Sequence, residues 1–329
     1  MKQVLIVGGG SIGERHLRCF LETGRVTGAI CDLDESLLAR IKSKYGIEHT
    51  YTDFNQALDA RPDLVVICTP AQLHIPMAQA CVDRDIPVLI EKPLSTSFEG
   101  IEKLKATVDE KKVPVAVAYV TRANPVLQDM RRAILSGQFG KPVQLVQMSG
   151  QHFPFYRPAY KEIYYKDRAT GGGAIQDALT HGLNYCEWLI GPITRVIADA
   201  DHKVLEGVEV EDTAHVIARH GDVMACYTLN QYQAPNEMRM LIACTKGTLR
   251  YEPMQFRWSW QSDPAGDWKH IEFPPMERDD YFTAQANAFL DCCEGKAEPL
   301  CTLEEGWQTL KANLAILNSL EATNWQELS

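Results

Sequence analysis

The chain has 329 residues, of which 45% are hydrophobic and 23% charged, and its formal net charge is -10. This length is more than one hydrophobic core usually holds, so we expect two domains. The acidic balance argues against a binder of nucleic acid or anionic membranes, because both need clustered Lys and Arg, and no stretch approaches the roughly 20 apolar residues that span a bilayer.

The N-terminus and the cysteines indicate the compartment. The sequence passes from residues 1–3 into the apolar run VLIV, which is too short for the core of a secretory signal. None of the ten cysteines forms a C-x-x-C motif. We therefore expect reduced thiols, no disulfide framework, no metal site and a cytoplasmic protein.

The first third of the chain alternates strand and helix signals. Apolar runs that predict strands are separated by helical periodicity, and Thr96 with Glu99 predicts a capping box at the start of the fifth helix. The predicted strands are residues 3–7, 26–31, 47–51, 64–68, 87–91 and 114–119. This alternation is typical of a doubly wound parallel sheet.

The pattern changes after about residue 120. A strong helix is predicted over residues 174–190, and consecutive strands without long helices follow over residues 193–275. Helical spacing returns at residues 279–294 and 303–322. The sequence therefore predicts an N-terminal doubly wound α/β domain, residues 1–120. It is followed by an α+β domain, residues 121–329, with a large, open and mainly antiparallel sheet.

Three glycines in the stretch VGGGSIGERH follow the first strand directly with the spacing G-x-G-x-x-G. Gly8 permits a tight turn, Gly10 lets the backbone approach a pyrophosphate, and Gly13 lets helix and strand pack closely. The N-terminus of the next helix, at Ser11 and Ile12, offers free N–H groups to phosphates. In this strand–turn–helix context the glycines predict a dinucleotide site.

Asp32 completes this pattern, because it ends the second strand 19 residues after Gly13. A carboxylate at this position accepts hydrogen bonds from the adenosine ribose and repels a 2′-phosphate. No arginine follows it, and the next residues are Leu33 and Asp34. The sequence therefore predicts that NAD(H) is preferred over NADP(H).

Two further motifs follow strands of the same predicted sheet. The stretch TPAQLH carries Thr69, Pro70 and His74, and the stretch EKP begins with Glu91 and Lys92. Ligands of open α/β sheets bind at the carboxyl ends of the strands, where both motifs lie. We therefore expect Lys92 to project into the ligand cleft, although a solvated surface lysine is the more ordinary fate of this residue type.

A third motif, GGGAIQDALTH, contains Asp177 and His181. These residues are at positions i and i+4 of the predicted helix and so share one face. Taken alone, such a pair is more often a structural hydrogen bond than a catalytic pair.

Together these motifs resemble the Gfo/Idh/MocA oxidoreductase family in order and spacing over nearly the whole chain. The resemblance rests on G-x-G-x-x-G with Asp32, T-P-x-x-x-H, E-K-P, and G-G-G-x-x-x-D-x-x-x-H. It implies a Rossmann domain and a second domain whose open sheet packs in homodimers or homotetramers. It also implies NAD(P)-dependent oxidation or reduction of CH–OH groups in sugars, inositols and related polyols. This chain departs from the family pattern at Asn184, where the family often has Asp, and at Leu179, where it usually has Gly.

The resemblance also suggests roles for individual residues. Lys92, Asp177 and His181 match the family's catalytic trio. We expect His181 to act as acid and base, Lys92 to stabilise the substrate oxygen, and Asp177 to orient the substrate or the imidazole. An exchange of the roles of Lys92 and His181 stays open. The expected cofactor-binding residues are Gly8, Gly10, Ser11, Ile12, Gly13, Asp32, Thr69, Pro70, His74, Glu91 and Lys92.

The substrate is less clear from the sequence. Aromatic and hydrogen-bonding side chains that suit a sugar ring are expected at Tyr119, Arg122, His152, Tyr156, Arg157 and Asn184, although a packing role is the more ordinary one for an arginine. A sugar or polyol dehydrogenase is the leading hypothesis. An NAD-dependent glycosidase of the same fold and a non-catalytic NAD-binding regulator are the alternatives.

Overall fold

The computed structural model describes residues 1–328 and divides the chain into two compact units. The first unit contains Met1–Ala123 and Glu277–Trp307, and the second contains Asn124–Met276 and the chain from Gln308 onward. The first unit thus leaves its N-terminal segment close to residue 120, where we expected a domain boundary, and it also includes residues 277–307, which we expected in the second domain. Among residues 1–328, no helix has both the length and the apolar content needed to cross a membrane.

A six-stranded sheet forms the centre of the first unit, and every neighbouring pair of its strands is parallel. In spatial order the strands are β3, β2, β1, β4, β5 and β6. Their bounds are β1 Lys2–Val7, β2 Val26–Cys31, β3 His49–Tyr51, β4 Leu64–Ile67, β5 Val88–Ile90 and β6 Val115–Val117. This order confirms the predicted doubly wound sheet, and the complete burial of β4 and β5 explains why they read as continuous apolar runs.

Helices follow the strands of this sheet. They are α1 Ser11–Glu22, α2 Glu35–Tyr45, α3 Phe54–Asp59, α4 His74–Asp83 and α5 Ile101–Lys111. The predicted capping box at Thr96 and Glu99 is wrong, because α5 begins after Gly100, which has φ +77° and supplies no side-chain cap. The residues before it form turns in which the hydroxyls of Ser95 and Ser97 accept backbone N–H groups.

One late helix returns to the first unit. This helix, Arg278–Cys293, places Phe289 and Leu290 in the same hydrophobic core as β1 and α1. Asp279 at its start accepts hydrogen bonds from Arg15 and Arg18 on α1. Such long-range packing has no signal in local periodicity, which is why the sequence did not predict it.

The second unit is built on a nine-stranded sheet. Its strands are β7 Pro142–His152, β8 Arg195–Asp201, β9 Thr213–His220, β10 Val223–Asn230, β11 Tyr232–Cys244, β12 Gly247–Glu252, β13 Arg257–Gln261, β14 Lys269–Glu272 and β15 Gln326–Glu327. In space they run β14, β13, β12, β11, β7, β10, β9, β8 and β15. All neighbours are antiparallel except β7 and β10, so the prediction of a large, mainly antiparallel sheet is confirmed.

The remaining helices are α6 Pro125–Leu135, α7 Phe153–Tyr156, α8 Thr180–Ile190, α9 Arg278–Cys293, described above, and α10 Leu303–Ala322. Buried residues of α6, α8 and the second half of α10 form one core with the inward-facing residues of the large sheet. The opposite face of the sheet carries alternate residues that this core leaves outside. This arrangement makes the second unit a two-layer structure with one open sheet face.

A row of apolar residues crosses this open face. The register aligns one residue from each of five neighbouring strands. From β11 to β8 they are Leu241, Val146, Cys226, Ile217 and Ile197. Ile217, near the middle of the row, is 52% exposed.

Candidate active site

The glycine stretch forms a turn between the end of β1 at Val7 and the start of α1 at Ser11. Gly8 has φ +94°, and a Cβ there would lie 2.8 Å from the carbonyl oxygen of Cys68. A Cβ on Gly13 would overlap the carbonyl oxygen of Gly8, so helix and turn pack without room for a side chain. A Cβ on Gly10 would meet no atom within 4 Å. The one glycine with open space beside it is therefore the one expected to face a pyrophosphate.

Asp32 follows β2 and binds the glycine turn directly. One carboxylate oxygen accepts the N–H of Gly9 at 2.6 Å, and the other accepts the N–H of Asp34 at 3.0 Å. Asp34 in turn caps the N-terminus of α2. The carboxylate of Asp32 is thus fixed at the carboxyl edge of the sheet, beside the turn that contains Gly10.

His74 connects the two loops that follow β4 and β5. Its Nε2 lies 2.8 Å from the carbonyl oxygen of Thr69, and its Nδ1 lies 3.0 Å from that of Pro93. Burial lowers the pKa of His74, although both carbonyls and nearby Glu91 oppose this shift. Both ring nitrogens therefore face backbone carbonyl oxygens, one in each loop. His74 was expected to bind cofactor, but its ring is 1% exposed and binds protein backbone on both sides.

Glu91 holds the other side of the Lys92 loop. Its Oε1 lies 2.6 Å from Nε2 of His16 on α1, and its Oε2 accepts the backbone N–H of Lys92 at 2.9 Å. Burial by itself would raise the pKa of Glu91, but the contact with His16 and the charge and N–H of Lys92 outweigh burial and lower it. The glutamate of the E-K-P motif is therefore an ionised internal group that fixes the backbone of Lys92, rather than an exposed cofactor ligand.

Tyr119 and Arg122, which were expected to contact substrate, are both buried. The guanidinium of Arg122 donates to the carbonyl oxygen of Leu300 at 3.1 Å and lies 2.7 Å from Oε1 of Glu305. These contacts favour the packing role that the sequence left open for this arginine.

The helix that carries Asp177 and His181 differs from the prediction. Residues Ile175–Leu179 form a π-helix, and α8 begins only at Thr180. Asp177 lies in the π-helical turn, where its Oδ1 accepts the hydroxyl of Tyr164 at 2.6 Å, whereas His181 lies in the first turn of α8. The expected i, i+4 spacing on an α-helical face is wrong, because the wider π turn separates the two residues differently. Such insertions are frequent at functional sites.

Two of the three glycines before this helix leave room for neighbouring groups that a side chain would displace. A Cβ on Gly172 would overlap the carbonyl oxygen of Tyr165, and Gly173 has φ +88° with no room for a Cβ beside the carboxylate of Glu211. Sequence reasoning missed Glu211. The stretch E-D-T at residues 211–213, two acidic residues directly before a strand, is the signal that could have identified it.

An open cleft of about 280 Å³ lies in the second unit. It is lined by His152, Phe155, Tyr156 and residues Gln233–Asn236. His152 and Tyr156, two of the expected substrate residues, thus share one concave surface with an exposed phenylalanine. Arg157 follows α7 but does not line this cleft.

Asn184 was expected to reach the substrate, but it is fully buried. Its side-chain amide donates to Oγ1 of Thr309 on α10 at 2.9 Å, and the Thr309 hydroxyl donates to Glu187 at 2.7 Å. We therefore assign Asn184 to the packing of α8 against α10.

We expect Gly13→Ala and Gly10→Ala to affect the protein in different ways. Crowding against Gly8 should make Gly13→Ala less stable by about 1–3 kcal/mol. Gly10 has extended backbone and open space, so Gly10→Ala should keep the stability of the ligand-free protein. It should nevertheless weaken NADH binding about tenfold or more, a loss of about 1.4 kcal/mol, because its methyl group occupies the space expected for the pyrophosphate.

Urea unfolding without ligand and titration of NADH fluorescence measure the two effects separately. Unchanged NADH affinity in Gly10→Ala would contradict the assignment of this turn to the pyrophosphate.

Comparison with known proteins agrees with this geometry. Residues 2–119 match the model of the "Oxidoreductase family, NAD-binding Rossmann fold", and residues 127–250 match the "GFO/IDH/MocA C-terminal domain". A myo-inositol 2-dehydrogenase of Thermotoga maritima is 23% identical over 96% of this chain and 95% of its own. A D-xylose 1-dehydrogenase [NADP(+)] of Haloarcula marismortui is 26% identical over 79% of this chain and 74% of its own.

Other curated relatives match over only about half of their own length, 49% and 51% in two cases. Among solved structures, a levoglucosan dehydrogenase in complex with NADH and levoglucosan superimposes with a TM-score of 0.88. This match covers 99% of both chains at 19% identity, so it shows a shared fold. The two family matches together span most of the sequence, and the chain belongs to the Gfo/Idh/MocA family of oxidoreductases with an NAD-binding Rossmann fold.

Proposed function

We propose that this protein is an NAD(H)-dependent oxidoreductase that interconverts a secondary alcohol and a ketone of a sugar, an inositol or a related polyol. One observation carries the proposal. The glycine turn and the Lys92 loop leave the same edge of one parallel sheet, after β1 and β5, which are separated only by β4. At the usual strand spacing the two loops are about 10 Å apart, which suits the pyrophosphate and the reacting end of one extended ligand.

The residues present fit a nicotinamide dinucleotide. The turn with Gly10 and the N-terminus of α1 would hold the phosphates, and Asp32 would hold the adenosine ribose. When bound there, the cofactor supplies the carbon that accepts or returns a hydride.

The remaining chemistry is proton transfer and charge stabilisation by the protein. We propose that His181 takes the hydroxyl proton of the alcohol and returns it in the reverse direction. The Lys92 ammonium stabilises negative charge on the same oxygen. Asp177, held by Tyr164, orients the substrate or the imidazole. An exchange of the roles of Lys92 and His181 gives the same overall proton balance.

The relatives favour this reaction over the two alternatives that the sequence left open. The names of those reported above describe dehydrogenases of inositol and xylose. A regulator that only binds NAD would have no need for an acid, a base and a fixed lysine. For the substrate itself, we propose that His152 and Tyr156 contact the ring from the cleft of the second unit. We assign the same role to Arg157, which follows Tyr156 at the end of α7.

The test is a panel of sugars and polyols, assayed by absorbance of NADH. On the best substrate, we expect Lys92→Ala and His181→Ala each to lower turnover about a hundredfold or more, the range for removal of positioned acid, base or oxyanion groups. The double variant should lose much less than the product of the two effects, because one proton relay fails once either member is lost.

Two controls separate chemistry from stability. Lys111→Ala removes a surface lysine, and His220→Gln changes a buried histidine that binds Gly191 and Tyr227. Both should keep turnover. NADH affinity should change little in His181→Ala. Near-normal turnover in His181→Ala would overturn the acid–base assignment, and sugar release without net NADH formation would indicate a glycosidase instead.

We further propose that NAD(H) binds more tightly than NADP(H). Asp32 is fixed beside the glycine turn by its bond to the N–H of Gly9, so a 2′-phosphate would meet its carboxylate. Asp32→Ala should narrow the difference between the two dissociation constants about tenfold or more, since one unscreened charge contact is worth about 1–2 kcal/mol.

Asp34→Ser is the matched control, because it removes a charge two residues away while a serine still caps α2. It should alter the cofactor preference less than Asp32→Ala. The xylose relative uses NADP(+), so the family accepts either cofactor. Equal or tighter binding of NADP(H) by the unaltered protein would refute the preference.

We also propose that the open face of the large sheet binds a second copy of this chain. The apolar row from Leu241 to Ile197 gives that face a hydrophobic centre. Arg195 and Arg219 lie on one side of the row, and Asp199 lies on the other. A two-fold axis along the row would therefore set Arg195 of one copy opposite Asp199 of the other, at the β8 end of the row. A homodimer satisfies this contact, and a homotetramer needs one further interface.

Ile217→Lys places a charge in the middle of the row and should convert the assembly to monomers. Ile271→Lys, on the outlying strand β14, is the control that should leave the assembly intact. Light scattering at micromolar concentration measures the mass. A monomer mass for the unaltered protein would contradict the proposed interface.

A further inference from the structure

Glu211 lies beneath the start of the helix that carries Asp177, and its side chain is fully buried. Its Oε1 accepts the backbone N–H of Ile175 at 3.1 Å, and its carbonyl oxygen accepts that of Ala174 at 2.9 Å. Its Oε2 binds the Nε and a terminal nitrogen of Arg168 at 2.8 and 2.7 Å. One residue therefore satisfies two of the N–H groups that a helix start leaves unpaired.

A buried carboxylate is costly unless it is paired with a cation and fully hydrogen-bonded. Arg168 supplies the cation, and the positive end of the helix supplies further compensation. The guanidinium of Arg168 is about half exposed, so the charge pair spans from solvent to the interior. This pairing lets an ionised group remain at the helix start.

The backbone of Gly173 makes room for the Glu211 carboxylate. Gly173 has φ +88°, and any side chain on it would occupy the space of the Glu211 carboxylate. The N–H of Gly173 donates to the carbonyl oxygen of Tyr165 at 3.0 Å, and the N–H of Asp177 donates to the carbonyl of Gly173 at 3.0 Å. The contacts of Glu211 are therefore linked through Gly173 to the backbone of Asp177.

Glu211 is itself tied to the sheet through Asp212. The carboxylate of Asp212 accepts the backbone N–H groups of Lys203, Val204 and Leu205 and the hydroxyl of Thr213. Burial would raise the pKa of Asp212, but these hydrogen bonds outweigh burial and lower it. Two adjacent acidic residues thus connect the loop before β9 to the start of the functional helix.

We propose that Glu211 is a positioning residue, which fixes the π-helical turn that carries Asp177 and the helix start that carries His181. The proposal rests on the proposed function, because it assigns a purpose to the exact placement of those two side chains. Displacement of a catalytic group by about 1 Å can lower the rate about a hundredfold. Loss of the Glu211 contacts should therefore lower turnover as well as stability.

The test compares Glu211→Ala and Glu211→Gln with a matched control. Glu252 is another buried glutamate of the second unit, bound by Arg250, Arg257 and Ser259, and Glu252→Gln removes its charge at a site not assigned to function. Glu211→Ala should lower kcat about tenfold to a hundredfold. Glu211→Gln still accepts the N–H of Ile175 and should recover part of this loss. Glu252→Gln should lower the thermal unfolding temperature while kcat stays within about twofold of the unaltered protein, as expected for a change remote from the chemistry.

Amide hydrogen exchange of residues 171–181 in the ligand-free protein is the second readout. Exchange should be faster in Glu211→Ala than in Glu252→Gln, and NADH affinity should be unchanged in both. A fall in kcat no larger than that of Glu252→Gln, or unchanged exchange at residues 171–181, would overturn the proposal.

If Glu211→Ala does not fold, Glu211→Gln against Glu252→Gln decides the question by the same two measurements. The exchange measurement also separates this proposal from the proposed function. If exchange at residues 171–181 is faster in the Glu211 variant but the unaltered protein oxidises no sugar or polyol, the proposed dehydrogenase activity is refuted. The structural role of Glu211 at the helix start is then still supported.

Discussion

In each unit, a buried glutamate binds a basic side chain with one carboxylate oxygen and a backbone N–H with the other. In the first unit Glu91 contacts His16 and the N–H of Lys92. In the second unit Glu211 contacts Arg168 and the N–H of Ile175. A buried carboxylate is tolerated only when it is paired and hydrogen-bonded in this way. Each carboxylate therefore holds the backbone whose N–H group it binds in one conformation.

The backbone arrangement matters because the candidate reactive side chains are long or lie near an irregular turn. Lys92 extends from a loop after β5, and its main chain would otherwise be free to adjust. Glu91 holds the N–H of Lys92, and His74 holds the carbonyl of the following Pro93. The backbone at the lysine is thus held on both sides. A precise site on a loop needs this kind of support from outside the loop.

The first unit was largely predictable because its signals are local. The strands β4, β5 and β6 are completely buried and read as apolar runs, and the glycine turn follows from the spacing of Gly8, Gly10 and Gly13. The interior roles of Glu91 and His74 were not predictable. A sequence motif shows which residues a site needs, but burial and hydrogen-bond partners decide whether a residue contacts the ligand or supports one that does.

The second unit was less predictable because its deciding contacts join distant parts of the chain. The π-helical turn at Ile175–Leu179 is indistinguishable from an α-helix by periodicity, and Glu211 lies more than thirty residues away from the helix it supports. The packing of α9 in the first unit was unpredictable for the same reason. The apolar residues of α9, such as Phe289 and Leu290, predict a helix but do not indicate which core it joins. The local sequence pattern predicts whether a segment is a helix or a strand more reliably than it predicts which distant element the segment packs against.

The departure from the family pattern at Asn184 also has an internal cause. Asn184 donates its amide N–H to the Thr309 hydroxyl, and that hydroxyl donates its single proton to Glu187. An aspartate at position 184 could not donate to the Thr309 oxygen, and it would place a second carboxylate beside that of Glu187 in a buried location. The cost of an unsatisfied buried charge makes that combination unfavourable. Asparagine at 184 and glutamate at 187 therefore share the Thr309 hydroxyl, so contacts between α8 and α10 accommodate this departure from the family pattern.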